Sequence, residues 1–295
     1  MVKAKKSAGE KVFDIVNCTV MAILIFATVY PFWYVIVGSF NEGLDFNKGG
    51  IYFWPREWSF ANYEKVFQND DLVNALFITV SRTVIGVVTH TLFTGLFAFG
   101  FYRKDLVFKK VYWIICIIPM FIGGGTIPYY LWLQKLGLTD NFLVYIIPWM
   151  FAFWDVLVLT SFFDGIPASL CESARIDGIS EFGLFFKIIF PLSLPVFAAL
   201  ALFNGVGQWN SFFDSLLYNM GAPELKTLQH VVVLMLKDAQ ETSSGGFVPG
   251  GSHANTTSTS VQYASIVVTT LPILVLYPFL QKYFVYGVMT GAVKE

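Results

Sequence analysis

The sequence predicts an all-α protein that crosses a membrane several times. Of its 295 residues, 56% are hydrophobic and 13% are charged, whereas soluble domains carry about 25% charged residues. The mean hydropathy of +0.62 is correspondingly high. Six apolar runs approach the length of about 20 residues that a helix needs to cross a bilayer, and one polar stretch interrupts them. We therefore expect a polytopic membrane protein with six transmembrane helices.

The apolar runs also predict the domain organisation. A short segment, residues 1–15, precedes a single transmembrane domain that fills residues 16–295. A polar loop at residues 165–187 separates the fourth run from the fifth, and a long loop at residues 208–262 separates the fifth from the sixth. The predicted spans are residues 16–39, 76–101, 111–133, 142–163, 188–207 and 263–284.

The distribution of basic residues predicts the orientation of the chain. With the N-terminus inside, twelve of the 19 Lys and Arg residues fall on the cytoplasmic side, and six fall on longer external loops. Positive charge concentrates on the short cytoplasmic loops of membrane proteins. We therefore expect both termini and the 165–187 loop in the cytoplasm. The first run is too long for the apolar core of a signal peptide, so we expect it to remain a membrane helix.

The first two spans and the loop between them contain the first candidate binding groups. Trp54 and Trp58, in the external loop, fit either an anchor at the lipid headgroups or a surface that stacks on sugar. Arg82, near the outer end of the second span, is expected to extend to the headgroups. His90 lies deeper, and it fits either a hydrogen bond to a neighbouring helix or a polar group that faces a wet cavity.

The third and fourth spans contain helix breakers and a charge. Pro119, residues Gly123–Gly125 and Pro128 predict that the third span breaks near its outer end. Irregular backbone at membrane depth needs protein or a cavity around it, so we expect this break to pack against other helices. Asp155 in the fourth span fits either a structural hydrogen bond or a position in a translocation path.

The end of the fifth span contains several amide side chains next to a tryptophan. Amides bond hydroxyl groups and an indole face stacks on a pyranose ring, so these groups suit a sugar path. The alternative is hydrogen bonding between helices. With the ionisable groups of earlier spans, the candidates for the translocation path are His90, Asp155, Asn204, Gln208, Trp209 and Asn210.

Prolines and small residues predict the remaining elements. Pro191 and Pro195 fall in the first turns of the fifth span. Residues 225–236 are apolar enough for a short surface helix, and the Gly/Ser/Thr-rich residues 241–260 predict a mobile stretch. Pro272, in the sixth span, predicts a kink, and a second proline follows six positions later.

The polar stretch between the fourth and fifth spans predicts two short helices joined at a glycine. Pro167 suits the first turn of a helix, and nothing between Ser169 and Asp177 breaks that helix. Gly178 follows where a helix end favours a left-handed residue. Ser180 is a suitable N-cap for a second helix. The small side chains near the glycine would let another protein surface approach closely.

The same stretch resembles the EAA loop of ABC importer permeases. That motif runs E-A-A, three residues, G, about nine residues and I-x-L-P. This chain has ESA at residues 172–174, Gly178, and IIFP at residues 188–191. Ser173 and Phe190 replace an alanine and a leucine of the pattern, which are mild departures. The structural alternative is an amphipathic loop held by an i,i+3 pair of Glu and Arg, worth about 0.2–0.5 kcal/mol.

The resemblance extends from about residue 12 to residue 295. Residues 123–138, 202–218 and 277–295 look like the carbohydrate-uptake, maltose-type importer permeases, and among them like the YtcP/LplC-like subgroup of sugar permeases. The resemblance implies the type I ABC importer permease fold and a role in importing oligosaccharides, including acidic or complex glycans. It also implies ATPase-coupling residues: Glu172, Ser173, Ala174, Asp177 and Gly178.

The partners that the resemblance implies are a homologous permease subunit, two copies of an ABC ATPase and an extracellular or periplasmic sugar-binding protein. The complex would lie in the bacterial cytoplasmic membrane, in contact with the lipid bilayer. This chain has no G-x-x-x-x-G-K-[ST] motif, so ATP and Mg²⁺ would be used by the partner ATPase and this chain would carry no cofactor. We therefore expect a membrane subunit that is not itself an enzyme.

Two other classes of protein fit the sequence less well. An ATP-independent secondary transporter of small polar solutes would typically show inverted repeats and more spans. An intramembrane enzyme would need a motif such as G-x-S-x-G or H-E-x-x-H, which the sequence lacks. Cys18, Cys116 and Cys171 are scattered and predict neither a disulfide nor a metal site. A net charge of −1 gives no indication of nucleic-acid binding.

Overall fold

The structure is a computed structural model that describes residues 8–243 and 256–292. These residues form helices, turns and one isolated β-bridge, between Asn41 and Trp58, so the all-α prediction is confirmed for them. Three 3₁₀ segments (Phe142–Tyr145, Ile147–Trp149, Pro223–Leu225) and a π-helix (Phe185–Ile189) accompany the α-helices. The α-helices are α1 (Ala8–Phe40), α2 (Gly43–Asn47), α3 (Ala61–Phe67), α4 (Asp70–Tyr102), α5 (Lys109–Phe121), α6 (Thr126–Lys135), α7 (Phe153–Phe163), α8 (Ala168–Ile176), α9 (Glu181–Leu184), α10 (Phe190–Leu192), α11 (Leu194–Asn210), α12 (Phe213–Tyr218), α13 (Leu228–Ser243) and α14 (Ser258–Ala292).

Three single helices are long and apolar enough to cross a membrane. They are α1 from Gly9 onward, α4, and the part of α14 from Ser258 to Val275. Three bent pairs pass the same test only when each pair counts as one span: α5 with α6, the first two 3₁₀ segments with α7, and residues 181–192 with α11. By length and composition, the described residues therefore contain three candidate spans, or up to six.

The third apolar run breaks where the glycines predict it. α5 ends at Phe121, α6 begins at Thr126, and their axes differ by 119°. Gly125, at φ +83°, has a conformation that other residues rarely adopt. Within this chain the break is open, because a Cβ at Gly123 or Gly124 would meet nothing within 4 Å, so its packing against other helices stays a prediction.

The fourth apolar run is broken, although we expected a continuous helix over residues 142–163. The second 3₁₀ segment ends at Trp149, and α7 begins at Phe153 after a bend of 43°. Pro148 has no N–H to donate within a helix. The carbonyls of Trp149 and Met150 contact side chains of α4 instead. The break is therefore stabilised by a neighbouring helix.

The fifth apolar run starts later than expected, at Leu194. The chain reaches it through the π-helix and bends by 82° at Ser193. Pro195 lacks the N–H that would bond the carbonyl of Pro191 in a continuous α-helix, which accounts for the bend. The two prolines therefore flank a corner and do not share the first turns of one helix.

The described residues divide into two compact units, of which the first comprises residues 8–69, 234–243 and 256–270. Within it, α1 lies so close to the start of α14 that a Cβ at Gly38 would clash with the ring of Tyr263. Elsewhere α1 is open, with 6% of its most apolar stretch buried. The core of this unit includes Val37, Phe46 and Ile51.

An ion pair between Arg56 and Asp45 joins two parts of the loop between α1 and α4. Arg56 Nε donates to both carboxylate oxygens of Asp45, at 3.1 and 2.9 Å. The Asn41 side chain accepts from the Arg56 N–H at 2.7 Å. The hydrogen bond from Arg56 holds the pKa of Asp45 below its usual value. Trp54 and Trp58 are 68% and 62% exposed, which suits either a membrane anchor or a stacking surface.

The second unit comprises residues 70–233 and 271–292 of the described chain. α4 is its centre, since α7 and α11 both pack along it. A Cβ at Gly95 would lie 2.8 Å from the ring of Phe197, so this glycine lets α11 approach closely. The core around α4 includes Phe99, Phe101, Phe153, Leu159, Phe163, Leu184, Phe185, Ile189 and Phe197.

The last two helices follow the predicted order. The helix predicted over residues 225–236 is observed as α13, although Leu228 and Val231 are buried and do not lie on a surface. α14 continues through Pro272 as one helix. Of the Gly/Ser/Thr-rich stretch between the two helices, residues 244–255 lie outside the described part of the chain.

Candidate functional site

The polar stretch after α7 folds into α8 and α9 with a glycine between them. α8 ends at Ile176, and Gly178 has φ +77°, the left-handed conformation that commonly closes a helix. The Ser180 hydroxyl caps α9 by accepting a hydrogen bond from the N–H of Gly183 at 3.2 Å. The prediction of two short helices joined at a glycine is confirmed.

α8 has one buried face and one open face. Cys171 and Ala174 are 3% and 4% exposed and belong to the core of the second unit. Glu172 and Ser173 are exposed, and Ile176 is 86% exposed at the end of the helix. The methyl group of Ala174 is therefore packed inside the chain, and the expected role of this residue in ATPase coupling stays a prediction.

A charged cleft of about 390 Å³ lies beside α8. Arg175 Nε donates to Glu181 at 3.1 Å, and Arg103 lies 3.7 Å from the same carboxylate. The hydrogen bond from Arg103 lowers the pKa of Asp105 to about 2. In the described part of the chain, Arg175 therefore pairs with Glu181. The alternative of an amphipathic loop required a pair between Arg175 and Glu172 instead.

A buried cluster joins α4, α7 and α11. His90 Nε2 lies 2.8 Å from Asp155 Oδ2, which also accepts from Asn204 Nδ2 at 2.9 Å. His90 Nδ1 lies 2.6 Å from the carbonyl oxygen of Trp149. His90 and Asp155 are 3% and 8% exposed. Hydrogen bonds between helices therefore occupy these three candidates within the chain, and their place in a translocation path stays a prediction.

A second cluster surrounds Arg82, which does not extend to the membrane surface. It is 0% exposed and donates to both carboxylate oxygens of Asp214, at 3.0 and 2.6 Å. Its Nε donates to Gln208 at 2.8 Å, and its guanidinium lies 4.3 Å from the ring centre of Tyr145. The expectation that Arg82 extends to the lipid headgroups is wrong, because Asp214 provides its counter-charge inside the protein.

The remaining polar residues of α11 differ in accessibility. Gln208 is 1% exposed and also donates to the carbonyl of Tyr145 at 3.1 Å. Trp209 is 7% exposed. Asn210 is exposed, and its Oδ1 accepts from Gln229 at 3.4 Å. Of these three, Asn210 is the residue that a ligand can reach without disturbing the core.

Sequence reasoning missed Asp214, the counter-charge of the second cluster. A usable signal exists, because a charge such as Arg82 inside an apolar run needs a partner of opposite sign. Asp214 is a carboxylate close to the end of a neighbouring apolar run. Sequence reasoning also missed Thr94, whose hydroxyl donates to the carbonyl of Met150 at 3.2 Å.

Comparison with known proteins gives matches along almost the whole chain. The profile of a family described as "Binding-protein-dependent transport system inner membrane component" matches residues 4–289. The chain is similar to "Polygalacturonan/rhamnogalacturonan transport system permease protein YtcP" of Bacillus subtilis (strain 168), at 33% identity over 291 residues, 97% of this chain and 99% of that protein. It is also similar to "Protein LplC" of the same strain, at 34% identity over 286 residues, 96% of this chain and 95% of that protein.

A solved structure has a similar fold. The chain aligns with one from "Crystal structure of a bacterial ABC transporter involved in the import of the acidic polysaccharide alginate" with a TM-score of 0.85 and 25% identity. The alignment covers 96% of this chain and 100% of that chain. The similarity therefore includes both compact units and is not confined to the segment around α8.

Proposed function

The chain belongs to the family of binding-protein-dependent transport system inner membrane components, and on this premise we propose that it is a permease subunit of an ATP-driven importer of oligosaccharides. The match to the family profile over residues 4–289 carries the proposal. A subunit of this kind forms part of a path through the membrane and takes its energy from a separate ATPase, so no catalytic chemistry is required of this chain.

In this proposal the six apolar runs are six spans of the bacterial cytoplasmic membrane, with both termini in the cytoplasm. The three long helices and three bent pairs support the number of spans. The excess of Lys and Arg on the short loops supports the orientation. This arrangement puts α8 and α9 on the cytoplasmic side, and it puts Trp54, Trp58 and α12 on the external side.

The contact with the ATPase is proposed to lie on the open face of α8. Glu172 and Ser173 are exposed there, and Ile176 offers an apolar side chain that the chain itself does not cover. Asp177 and Gly178 form the turn that ends the helix, while Ala174 fixes the other face to the core. Two copies of an ABC ATPase, which would use ATP and Mg²⁺, are the proposed partners.

A homologous permease subunit is proposed to cover the third span. α5 has no buried residue, and the backbone at Gly123 and Gly124 is open. Exposed irregular backbone at membrane depth requires protein or water around it, which a second subunit and a shared path would supply. The sugar would reach that path from an external binding protein, and the proposed path residues are His90, Asp155, Asn204, Gln208, Trp209 and Asn210.

The proposed substrate is an oligosaccharide that contains uronate units. The support comes from two similar proteins, since one is named for polygalacturonan and rhamnogalacturonan and the other for the acidic polysaccharide alginate. A path for such a substrate needs contacts that are weak and distributed, because one deep site would retain the sugar.

The test is uptake of radiolabelled trigalacturonate into proteoliposomes that contain this chain, its copurifying permease and ATPase, and the binding protein. We expect accumulation that requires ATP, and that fails when the ATPase carries a substitution of its phosphate-binding lysine. Raffinose at the same concentration is the matched neutral sugar. Uptake without ATP along an ion gradient would support a secondary transporter, and uptake of raffinose alone would refute the acidic substrate.

A further inference from the structure

The turn between α4 and α5, residues 103–110, carries a cluster of positive charge, and we call it the basic turn. Arg103 and Lys104 follow the end of α4, and Lys109 and Lys110 begin α5. In the orientation of the proposed function, this turn lies at the cytoplasmic surface of the membrane. Basic clusters next to a membrane span are typical of sites that bind anionic lipids. The contacts of each side chain decide which of the four charges are available.

Arg103 is already paired inside the protein. Its Nε donates to Asp105 at 2.9 Å, and its Nη1 lies 3.7 Å from the carboxylate of Glu181 in α9. The other three basic residues of the turn make no ion pair with any residue that the structure describes: they are Lys104, Lys109 and Lys110. The basic turn therefore presents three positive charges that its own aspartate does not balance.

Two exposed apolar side chains lie between these lysines. Val107 and Phe108 are 67% and 72% exposed. Phe108 has a φ of +59°, a left-handed conformation that a bulky residue adopts only rarely. Water is a poor environment for such a pair, whereas the boundary between lipid headgroups and acyl chains accommodates it. The basic turn thus combines a small apolar tip with positive charge on both sides of it.

The start of α5 adds to the positive charge. Its first turn contains Lys109 and Lys110 and no acidic residue. The positive end of a helix dipole makes a cation unfavourable at this place. An anionic group beside the two lysines would offset both effects, so the charge pattern favours an anionic partner over a neutral one.

We propose that the basic turn binds anionic phospholipids of the cytoplasmic leaflet. Val107 and Phe108 enter the boundary between headgroups and acyl chains, and the three unpaired lysines contact lipid phosphates. Lipid fits this surface better than a protein partner, because lysine is depleted at protein interfaces and the apolar tip is only two residues wide. The contact holds the junction of α4 and α5 at the membrane surface, while Arg103 joins the same turn to α9.

The test measures the depth of the basic turn in membranes of different charge. Val107→Cys, in a protein without native cysteines, carries a fluorophore in the assembled importer in nanodiscs, and spin-labelled lipid quenches it. We expect about twofold stronger quenching with about 40% phosphatidylglycerol than with phosphatidylcholine alone. Sodium chloride at about 0.5 M should remove most of this difference, because it screens the lysines. Equal quenching in the two membranes, or quenching that follows the presence of the ATPase instead of lipid charge, overturns the proposal.

Matched variants separate the lysines of the turn from the net charge of the protein. Exchange of all three for glutamine should remove the response to phosphatidylglycerol, and exchange for arginine should keep it, because arginine also binds phosphate. The control exchanges three exposed lysines of the predicted external loops for glutamine, which removes the same charge: Lys48, Lys65 and Lys135. The control should respond like wild type. A control that loses the response as fully as the glutamine variant of the turn overturns the proposal.

The inference rests on the proposed function for the side of the membrane on which the basic turn lies. ATP-driven uptake of trigalacturonate, measured with the same labelled protein in proteoliposomes, distinguishes a failure of either. If uptake is absent while quenching responds to lipid charge and to the lysines, the proposed function fails and the lipid surface stands. If uptake is normal and quenching is the same in both membranes, the lipid surface fails alone.

Discussion

Arg82 and Asp214 lie 132 residues apart in sequence and form a two-point ion pair with N–O distances of 3.0 and 2.6 Å. Arg82 is fully buried, and Asp214 is 7% exposed. The pair joins α4 to α12, and Gln208 and Tyr145 surround the guanidinium. The second unit therefore contains a charge pair that its own side chains bury almost completely.

Removing one member of this pair should be costly. Asp214→Asn keeps the shape of the side chain but leaves Arg82 buried without a counter-charge. We expect a loss of about 3–5 kcal/mol in the free energy of unfolding, measured by denaturant titration in detergent. Asp105→Asn, which removes an exposed partner of Arg103, is the control and should change little. Equal effects in the two variants would show that Arg82 tolerates the loss of its partner.

Replacing both members by apolar residues should restore part of that loss. Arg82→Met with Asp214→Leu removes the buried charges together, and such exchanges are often neutral or stabilising. We expect the double variant to be more stable than Asp214→Asn alone. A double variant less stable than the single one would mean that the hydrogen bonds to Gln208 and Asp214 outweigh the cost of burying the charges.

The loop between α1 and α4 should loosen in acid. The pKa of Asp45 is lowered by its hydrogen bond with Arg56, so its contribution is complete above the unfolded value of about 3.9. It is lost as the pH falls through the lower folded pKa. We expect proteolysis of residues 41–69 to accelerate below about pH 4, and Asp45→Asn to be cut quickly at every pH. Glu64→Gln, an exposed carboxylate of α3, should behave like wild type.

The turn at Gly178 should be essential for coupling. Its φ of +77° is a conformation in which a β-branched residue is strained by about 1–3 kcal/mol. We expect Gly178→Val to insert in the membrane but to lose ATP-driven uptake and the stimulation of ATPase activity. Gly137→Val introduces a similar strain at φ +68°, in an exposed turn between α6 and the first 3₁₀ segment. If both variants lose uptake equally, the effect is general strain and not coupling.

Cysteine accessibility should differ among the proposed path residues according to how deeply each side chain is buried. In a protein without native cysteines, Asn210→Cys and Asn204→Cys should react with a membrane-impermeant thiol reagent, and trigalacturonate should slow the reaction. Gln208→Cys should react far more slowly, because that position is 1% exposed between Arg82 and Tyr145. Protection of all three positions in every nucleotide state would contradict the path assignment.

Local sequence patterns were sufficient for elements that depend on neighbours in the chain. The break at Gly123–Gly125 follows from the conformational cost of three successive glycines in a helix. The turn at Gly178 and the cap at Ser180 depend on a few adjacent residues. The bend at Ser193 was missed because a proline early in a helix is compatible with either a first turn or a corner. Only the path of the preceding π-helix distinguishes the two.

By itself the sequence determined the membrane class, the all-α fold, the positions of the apolar runs and the two short helices around Gly178. These properties are set by hydropathy and by backbone preferences, which act over a few turns of chain. The tertiary structure alone decided which polar groups meet. Arg82 pairs with Asp214, and His90 contacts Asp155, because α7 and α11 both pack against α4. A buried charge requires a partner, but sequence does not specify which one, because the helices that bring the two together are joined by long segments of chain.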